Sequence, residues 1–184
     1  MIFMEISRVI LRPKAAGFEE SVLVKVIPLE PNIAVAPQLG EADFAEVAAL
    51  GFRSVVNNRP DGEAPDQLSN AQAKAAAQRS GLEFRHDPVT SLTVTDDDVV
   101  DTFARAMENL PKPILFYCRS GTRCATLWVQ AAAHRIGIDQ ALAAARRGGY
   151  DLDFLRETLA ERSDEISGAA AQPFSSAPQT AAAG

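Results

Sequence analysis

The stretch ILFYCRSGTRCATLW, residues 114–128, decides the fold of this chain. Its first four residues form an uninterrupted apolar run, which predicts a strand buried on both faces. From Ala125 onward the residues are apolar almost all round, which predicts a central, covered helix. The loop from Cys118 to Arg123 lies between the two and opens onto the N-terminus of that helix. A buried strand, a tight turn and a helix in this order are typical of an α/β domain.

The loop has the features of an anion-binding site that carries a reactive thiol. The first turn of a helix leaves backbone N–H groups unpaired and carries partial positive charge. A cysteine in that position should have a lowered pKa and act as a nucleophile, so Cys118 is the predicted catalytic residue. Arg123 can offer a planar fork to the bound anion. The remaining anion-binding residues are Arg119, Ser120, Gly121 and Thr122.

The length of the loop distinguishes two families of cysteine enzymes. Cysteine-dependent phosphatases have Cys-x5-Arg, usually with His before the cysteine and Ser or Thr after the arginine. Rhodanese-type sulfurtransferases often have the shorter Cys-x4-Arg. This chain has Cys-x4-Arg, with Tyr117 before the nucleophile and Cys124 after the arginine. The loop by itself therefore resembles that of a rhodanese.

Three segments together resemble another group: VVNNRPDGE at residues 55–63, LEFRHDPV at 82–89 and YCRSGTR at 117–123. They are similar to the phosphatase-like domain of the bacterial beta-lactamase hydrolase-like protein, whose members typically show NLRPDGE-like and CRSGTRS-like segments. The resemblance extends over residues 27–159. It implies a phosphatase-like fold, in a family called both phosphatase and sulfurtransferase and sometimes fused to a persulfide-oxidising metallo-hydrolase. It also marks Arg59, Asp61 and Glu63 as second-site or loop-bracing residues, whereas Asn58 stands where the family usually has Leu.

Composition excludes several classes of function. The 184 residues suit one domain, and a formal net charge of −6 argues against a nucleic-acid-binding surface. No apolar run approaches the length of a membrane span, and the N-terminus does not read as a signal peptide, so we expect a cytoplasmic protein. Two histidines at this spacing predict no metal site, and we expect no cofactor.

The predicted organisation is a single α/β domain with a central, mainly parallel sheet flanked by helices, in a cysteine-phosphatase-like fold. Residues 1–26 are predicted to be an N-terminal arm or edge strands, with residues 27–162 forming the domain. Pro28 and Pro31 are predicted to bracket a turn. Residues 163–184 are predicted to be a disordered tail, because their composition cannot bury enough surface to offset the entropy of ordering.

Two further side chains are candidates for chemistry. Asp87 follows the strand predicted at residues 82–86, near where phosphatases of this fold carry a general-acid aspartate, although a turn residue before Pro88 is the alternative. Cys124 is a candidate redox partner, because a persulfide or sulfenic acid on Cys118 could be attacked by Cys124 to close an internal disulfide. The alternative is that Cys124 is a small buried residue.

Three functions compete for this site. We predict a sulfurtransferase, which passes sulfane sulfur from thiosulfate or a persulfide to a thiol acceptor through a Cys118 persulfide, because the short loop suits a small sulfur. The alternative is a phosphatase acting through a phosphocysteine. The second alternative is a non-catalytic anion-binding module. The predicted partners are a small anionic sulfur donor or a phosphate ester, a thiol acceptor and a persulfide-oxidising metallo-hydrolase.

Overall fold

The computed structural model describes residues 24–170, and it describes side chains as far as residue 163. Strands and helices alternate through most of this range. The strands are β1 (Ile27–Glu30), β2 (Ile33–Ala36), β3 (Ser54–Asn57), β4 (Glu83–His86) and β5 (Ile114–Tyr117). The helices are α1 (Asp43–Ala49), α2 (Asn70–Arg79), α3 (Asp97–Asn109), α4 (Thr122–Ile136), α5 (Ile138–Arg147) and α6 (Arg156–Ala170), with a 3-10 turn at Asp153–Leu155 before the last.

The strands form one sheet in the order β1-β2-β5-β3-β4, which places β5 at its centre. β1 runs antiparallel to β2, and the other neighbouring strands are parallel. The predicted α/β domain with a mainly parallel sheet is therefore confirmed. The last residues of four strands are in register, since Tyr117 pairs with Ala36 and Asn57, and Asn57 pairs with His86. The segments that follow these strands consequently meet at one edge of the sheet, where open α/β folds place their sites.

Side chains of β5 alternate between the two faces of the sheet, and each face has its own core. Phe116 packs against Phe103 of α3, with ring centroids 4.1 Å apart. Tyr117 meets the ring of Phe44 of α1 edge-on, at 6.2 Å. Cys118, the next residue, belongs to the core on the Phe116 side, together with much of α4. Alternation thus directs the thiol toward the helix that follows it.

Two predicted segments differ in the structure. Residues 27–30 form the edge strand β1 rather than a turn bracketed by prolines, and Pro28 is tolerated because one side of an edge strand has no partner. Helix α6 continues to Ala170, so residues 163–170 are helical rather than part of the predicted disordered tail. Alanine at the end of this segment favours the helix, and no proline interrupts it.

The predicted arm lies outside the described residues except for residues 24–26, and so does the predicted tail from residue 171 onward. Over the part of the chain that the structure describes, none of the helices has both the length and the apolar composition of a membrane span.

Candidate active site

The loop from Cys118 to Arg123 occupies the centre of the sheet edge and is held from both sides. On one side, the N–H of Cys118 donates to the carbonyl of Ala36, at 3.4 Å, and the N–H of Gln38 donates to the carbonyl of Arg119, at 3.3 Å. On the other side, the N–H of Asn58 donates to the carbonyl of Tyr117, at 2.8 Å. These contacts come from the segments after β2 and β3, so the parallel register places the predicted nucleophile.

The thiol of Cys118 is buried and has a strongly altered pKa. A hydrogen bond with the Cys124 side chain contributes most to lowering this pKa to about 5, and burial opposes the change. The backbone N–H groups of Cys124 and Ser120 and the charge of Arg123 add to the lowering. Cys118 is therefore a thiolate at neutral pH, as expected for a cysteine at a helix N-terminus.

Cys124, in the first turn of α4, remains a thiol beside this thiolate. Its burial, together with its hydrogen bond to Cys118, raises its pKa well above the ordinary value. Its Sγ also lies 3.5 Å from Oδ1 of Asn58, a second acceptor for its single S–H, but the charged Cys118 sulfur is the stronger acceptor. Asn58 in turn donates from Nδ2 to the carbonyl of Asp87, at 2.8 Å. Asn58, which stands where the family usually has Leu, thus connects Cys124 to the segment after β4.

Arg123 is fixed at the side of the loop by two acceptors. Its Nη1 donates to the carbonyl of Val89, at 2.6 Å, and its Nη2 pairs with Oε2 of Glu63, at 2.8 Å. The same oxygen of Glu63 accepts from Nε of Arg59, at 2.7 Å, and Arg59 Nη1 donates to Oε1 of Gln38, at 2.8 Å. The hydrogen bond from Arg123 lowers the pKa of Glu63, so the carboxylate stays ionised between the two guanidinium groups.

The segment after β3 carries Arg59, Asp61 and Glu63, whose side chains contact different parts of the structure. Arg59 is buried, and Glu63 links it to Arg123. Asp61 points the other way, and its Oδ1 accepts from the N–H of Asn70 at the start of α2, at 2.7 Å. The structure therefore brings Arg59 and Glu63 to the loop and uses Asp61 to attach the same segment to α2.

Asp87 is not brought into the loop by any such contact. Its Oδ1 accepts from Nε of Arg85, at 2.8 Å, and Asp87 is among the residues that line a cavity of about 250 Å³ beside α3. Among the described residues, no hydrogen bond or ion pair joins this carboxylate to residues 118–123. A role as general acid stays a prediction, and it requires the carboxylate to leave Arg85.

The rim of the loop is polar and open to solvent. Arg119, Ser120 and Thr122 are exposed, and the hydroxyls of Ser120 and Thr122 lie 3.0 Å apart. Gly121 adopts a φ of +86° just before α4, a conformation that glycine reaches without strain. Arg119 is therefore exposed to solvent, whereas Arg123 is half-buried.

Sequence reasoning missed Tyr150, which lies against the backbone of the loop. Its hydroxyl donates to the carbonyl of Ser120, at 3.3 Å, and a Cβ at Gly121 would overlap that hydroxyl. Burial raises the pKa of Tyr150 to about 12, so the hydroxyl keeps its proton. Thirty positions separate Tyr150 from Ser120, and the Gly148-Gly149 turn before it was the one local signal.

Comparisons with known proteins agree with this geometry. The family model described as "Beta-lactamase hydrolase-like protein, phosphatase-like domain" matches residues 26–143. A beta-lactamase hydrolase-like protein from Agrobacterium fabrum is 36% identical over 110 residues, which are 60% of this chain and 25% of that protein. The chain spans 25% to 30% of the length of the curated relatives it matches.

Two solved structures share the fold. A candidate phosphatase from Neisseria meningitidis, nma1982, is 35% identical, with a TM-score of 0.65 over 72% of this chain and 94% of its own. Tk-PTP in its active form is 22% identical, with a TM-score of 0.61 over 76% of this chain and 96% of its own, and this likeness concerns the fold alone.

The prediction of a rhodanese-like sulfurtransferase is wrong, because the matching family and the similar structures are phosphatase-like. The predicted sulfur donor and thiol acceptor have no support either. Loop length does not distinguish the two kinds of enzyme here, since one residue fewer between cysteine and arginine is a local change within the same strand, loop and helix. The resemblance based on three separated segments was the better guide. The matched model covers more than half of the chain, which therefore belongs to the family of phosphatase-like domains of beta-lactamase hydrolase-like proteins.

Proposed function

We propose that this domain is a cysteine-dependent phosphatase that hydrolyses phosphate monoesters through a phosphocysteine on Cys118. The observation that carries the proposal is a buried thiol with a pKa of about 5, set in a loop that ends at a helix N-terminus beside Arg123. A thiolate at neutral pH is the form that attacks phosphorus, and the loop supplies a site for the phosphoryl oxygens.

In the first step, the Cys118 sulfur attacks phosphorus as the ester P–O bond breaks. The S–P bond forms, and the leaving oxygen departs with the electron pair of the broken bond. The backbone N–H groups of the loop and the guanidinium of Arg123 bind the phosphoryl oxygens and stabilise their charge. Glu63 and the Val89 carbonyl hold Arg123 in place before the substrate arrives, so little reorganisation is needed.

In the second step, water attacks phosphorus and the Cys118 thiolate leaves. The same hydrogen bond that lowers the pKa of Cys118 makes it a better leaving group, since the Cys124 thiol stabilises the charge that returns to sulfur. Inorganic phosphate is released, and the enzyme returns to its starting state.

The placement of Asp87 favours aryl over alkyl phosphates as substrates. Its carboxylate pairs with Arg85, and an alkoxide that leaves without a proton is a poor leaving group. A phenoxide is far less basic and can leave with little help from an acid. We therefore propose aryl phosphate monoesters as the substrate class, with Asp87 as the acid only if it moves away from Arg85.

A side-by-side assay of one preparation tests the proposal. We expect p-nitrophenyl phosphate to be hydrolysed with release of inorganic phosphate, and acid quenching during turnover to trap one phosphoryl group on Cys118. The matched control is Cys118→Ser, which should remove both signals without altering the fold. Phosphate release that survives in Cys118→Ser, or its absence from the wild-type protein, would contradict the proposal.

A further inference from the structure

We infer that Tyr150 is a positioning residue that turns the N–H of Gly121 into the anion site. The inference rests on the proposed function only for the identity of the anion, a phosphoryl group. It concerns a residue outside the loop, from the segment between α5 and α6, whose hydroxyl donates a hydrogen bond to the loop backbone.

The geometry of a trans peptide unit carries the argument. Its carbonyl and its N–H point in opposite directions because the unit is planar. In the peptide between Arg119 and Ser120, the carbonyl is held outward by the N–H of Gln38. The N–H of Ser120, at the other side of the same unit, is directed at the Cys118 sulfur and helps to lower its pKa. An outward carbonyl thus accompanies an inward N–H in this loop.

Tyr150 holds the carbonyl of the next peptide, that of Ser120, as Gln38 holds the carbonyl of Arg119. The peptide between Ser120 and Gly121 is also trans, and its carbonyl accepts from the Tyr150 hydroxyl at 3.3 Å. The N–H of Gly121 must therefore point away from Tyr150. We assign this direction to the anion site, because the preceding N–H of the loop, that of Ser120, faces the Cys118 sulfur, and convergent N–H groups bind phosphoryl oxygens.

The tyrosine itself is well fixed, which a positioning residue requires. It is only 9% exposed, and its own N–H donates to the carbonyl of Ala145, at 3.0 Å. Gly149, with a φ of +88°, makes the turn that brings it back to the sheet edge. The close approach of the Tyr150 hydroxyl also requires glycine at position 121, since a Cβ there would overlap the hydroxyl.

The test compares Tyr150→Phe with Tyr117→Phe in the full chain. Both tyrosines are buried near Cys118, but the Tyr117 hydroxyl has no hydrogen-bond partner in the described part of the chain, so its removal is the matched control. The probe is inorganic phosphate, whose binding is measured as protection of Cys118 from alkylation by iodoacetamide. This readout does not depend on turnover.

We expect the phosphate concentration for half-protection to rise about tenfold in Tyr150→Phe, as for the loss of one hydrogen bond to a charged group, and to stay unchanged in Tyr117→Phe. The pH midpoint of alkylation should not move, because the N–H groups of Ser120 and Cys124 still face Cys118. Equal half-protection in Tyr150→Phe and wild type overturns the inference. So does an equal loss in both variants, or a wild-type protein that phosphate does not protect.

A second measurement tests the contact directly. Gly121→Ala should weaken protection strongly in the wild-type background and less in Tyr150→Phe, because the overlapping hydroxyl is then gone while the positive φ remains. Additive effects would contradict the contact. If the wild-type protein hydrolyses no ester but shows this dependence on Tyr150, the proposed function fails and the inference about the anion site stands.

Discussion

Replacing Cys124 by alanine should make the Cys118 thiol less acidic. The hydrogen bond with Cys124 contributes most to lowering the pKa of Cys118 to about 5. Hydrogen bonds to charged groups are worth roughly 1.5–3 kcal/mol, and a thiol, as a weak donor, belongs at the lower end. Since 1.36 kcal/mol corresponds to one pH unit, the midpoint should rise by about one pH unit. In the wild type the lowered pKa keeps Cys118 a thiolate until the pH falls to about 5. As the pH falls, the variant should become protonated earlier, at a higher pH than the wild type.

The assay is the rate of alkylation by iodoacetamide between about pH 4 and about pH 8, which brackets the folded pKa and approaches the ordinary thiol value. Peptide mass mapping identifies the modified cysteine, because Cys124 is buried and its raised pKa should keep it unreactive. Cys124→Ser is the matched control. A hydroxyl is a stronger donor than a thiol, so its midpoint should lie at or below that of the wild type.

Two results would contradict a hydrogen bond from Cys124 to the Cys118 thiolate. One is an unchanged midpoint in Cys124→Ala, which would mean that burial and the backbone N–H groups set the pKa of Cys118 without help from the side chain. The other is a midpoint in Cys124→Ser that lies above that of Cys124→Ala, which would mean that residue 124 acts on Cys118 by packing rather than by donation.

Three further outcomes are expected. Arg123→Lys keeps the charge but loses the planar fork, so kcat/KM for p-nitrophenyl phosphate should fall roughly tenfold to a hundredfold. Arg119 is exposed, so Arg119→Ala should have a smaller effect, mostly on KM. Equal effects of the two changes would contradict these roles. Asp87→Asn should slow esters with basic leaving groups more than aryl esters if Asp87 is the acid, and equal small effects would leave it structural. If Cys124 is the redox partner, the sulfenic acid that mild peroxide forms on Cys118 removes the thiolate charge that raises the pKa of Cys124, and Cys124 attacks it with loss of water. Intact mass then falls by two hydrogens in the wild type but not in Cys124→Ser, whereas oxygen adducts alone on the wild type would exclude the bridge.

Local sequence patterns were enough to predict the strand, loop and helix of residues 114–128, and with them the loop that holds Cys118 and Arg123. Local patterns suffice here, because the apolar run, the glycine and the helix start lie next to one another in the chain. The parallel sheet also followed from the alternation of strand and helix patterns. The choice between reactions did not follow, because the spacing inside one loop carries less information than three separated segments.

Only the tertiary structure decided which side chains support the loop. Three residues that lie 30 or more positions away contact the loop directly: Gln38, Glu63 and Tyr150. Arg59 is joined to the loop indirectly, through its hydrogen bond to Gln38. Their contacts depend on the register that ends four strands at one level and on the turn after α5 that returns the chain to this edge. Such contacts arise from the packing of whole elements, whereas sequence patterns report the preferences of each element separately.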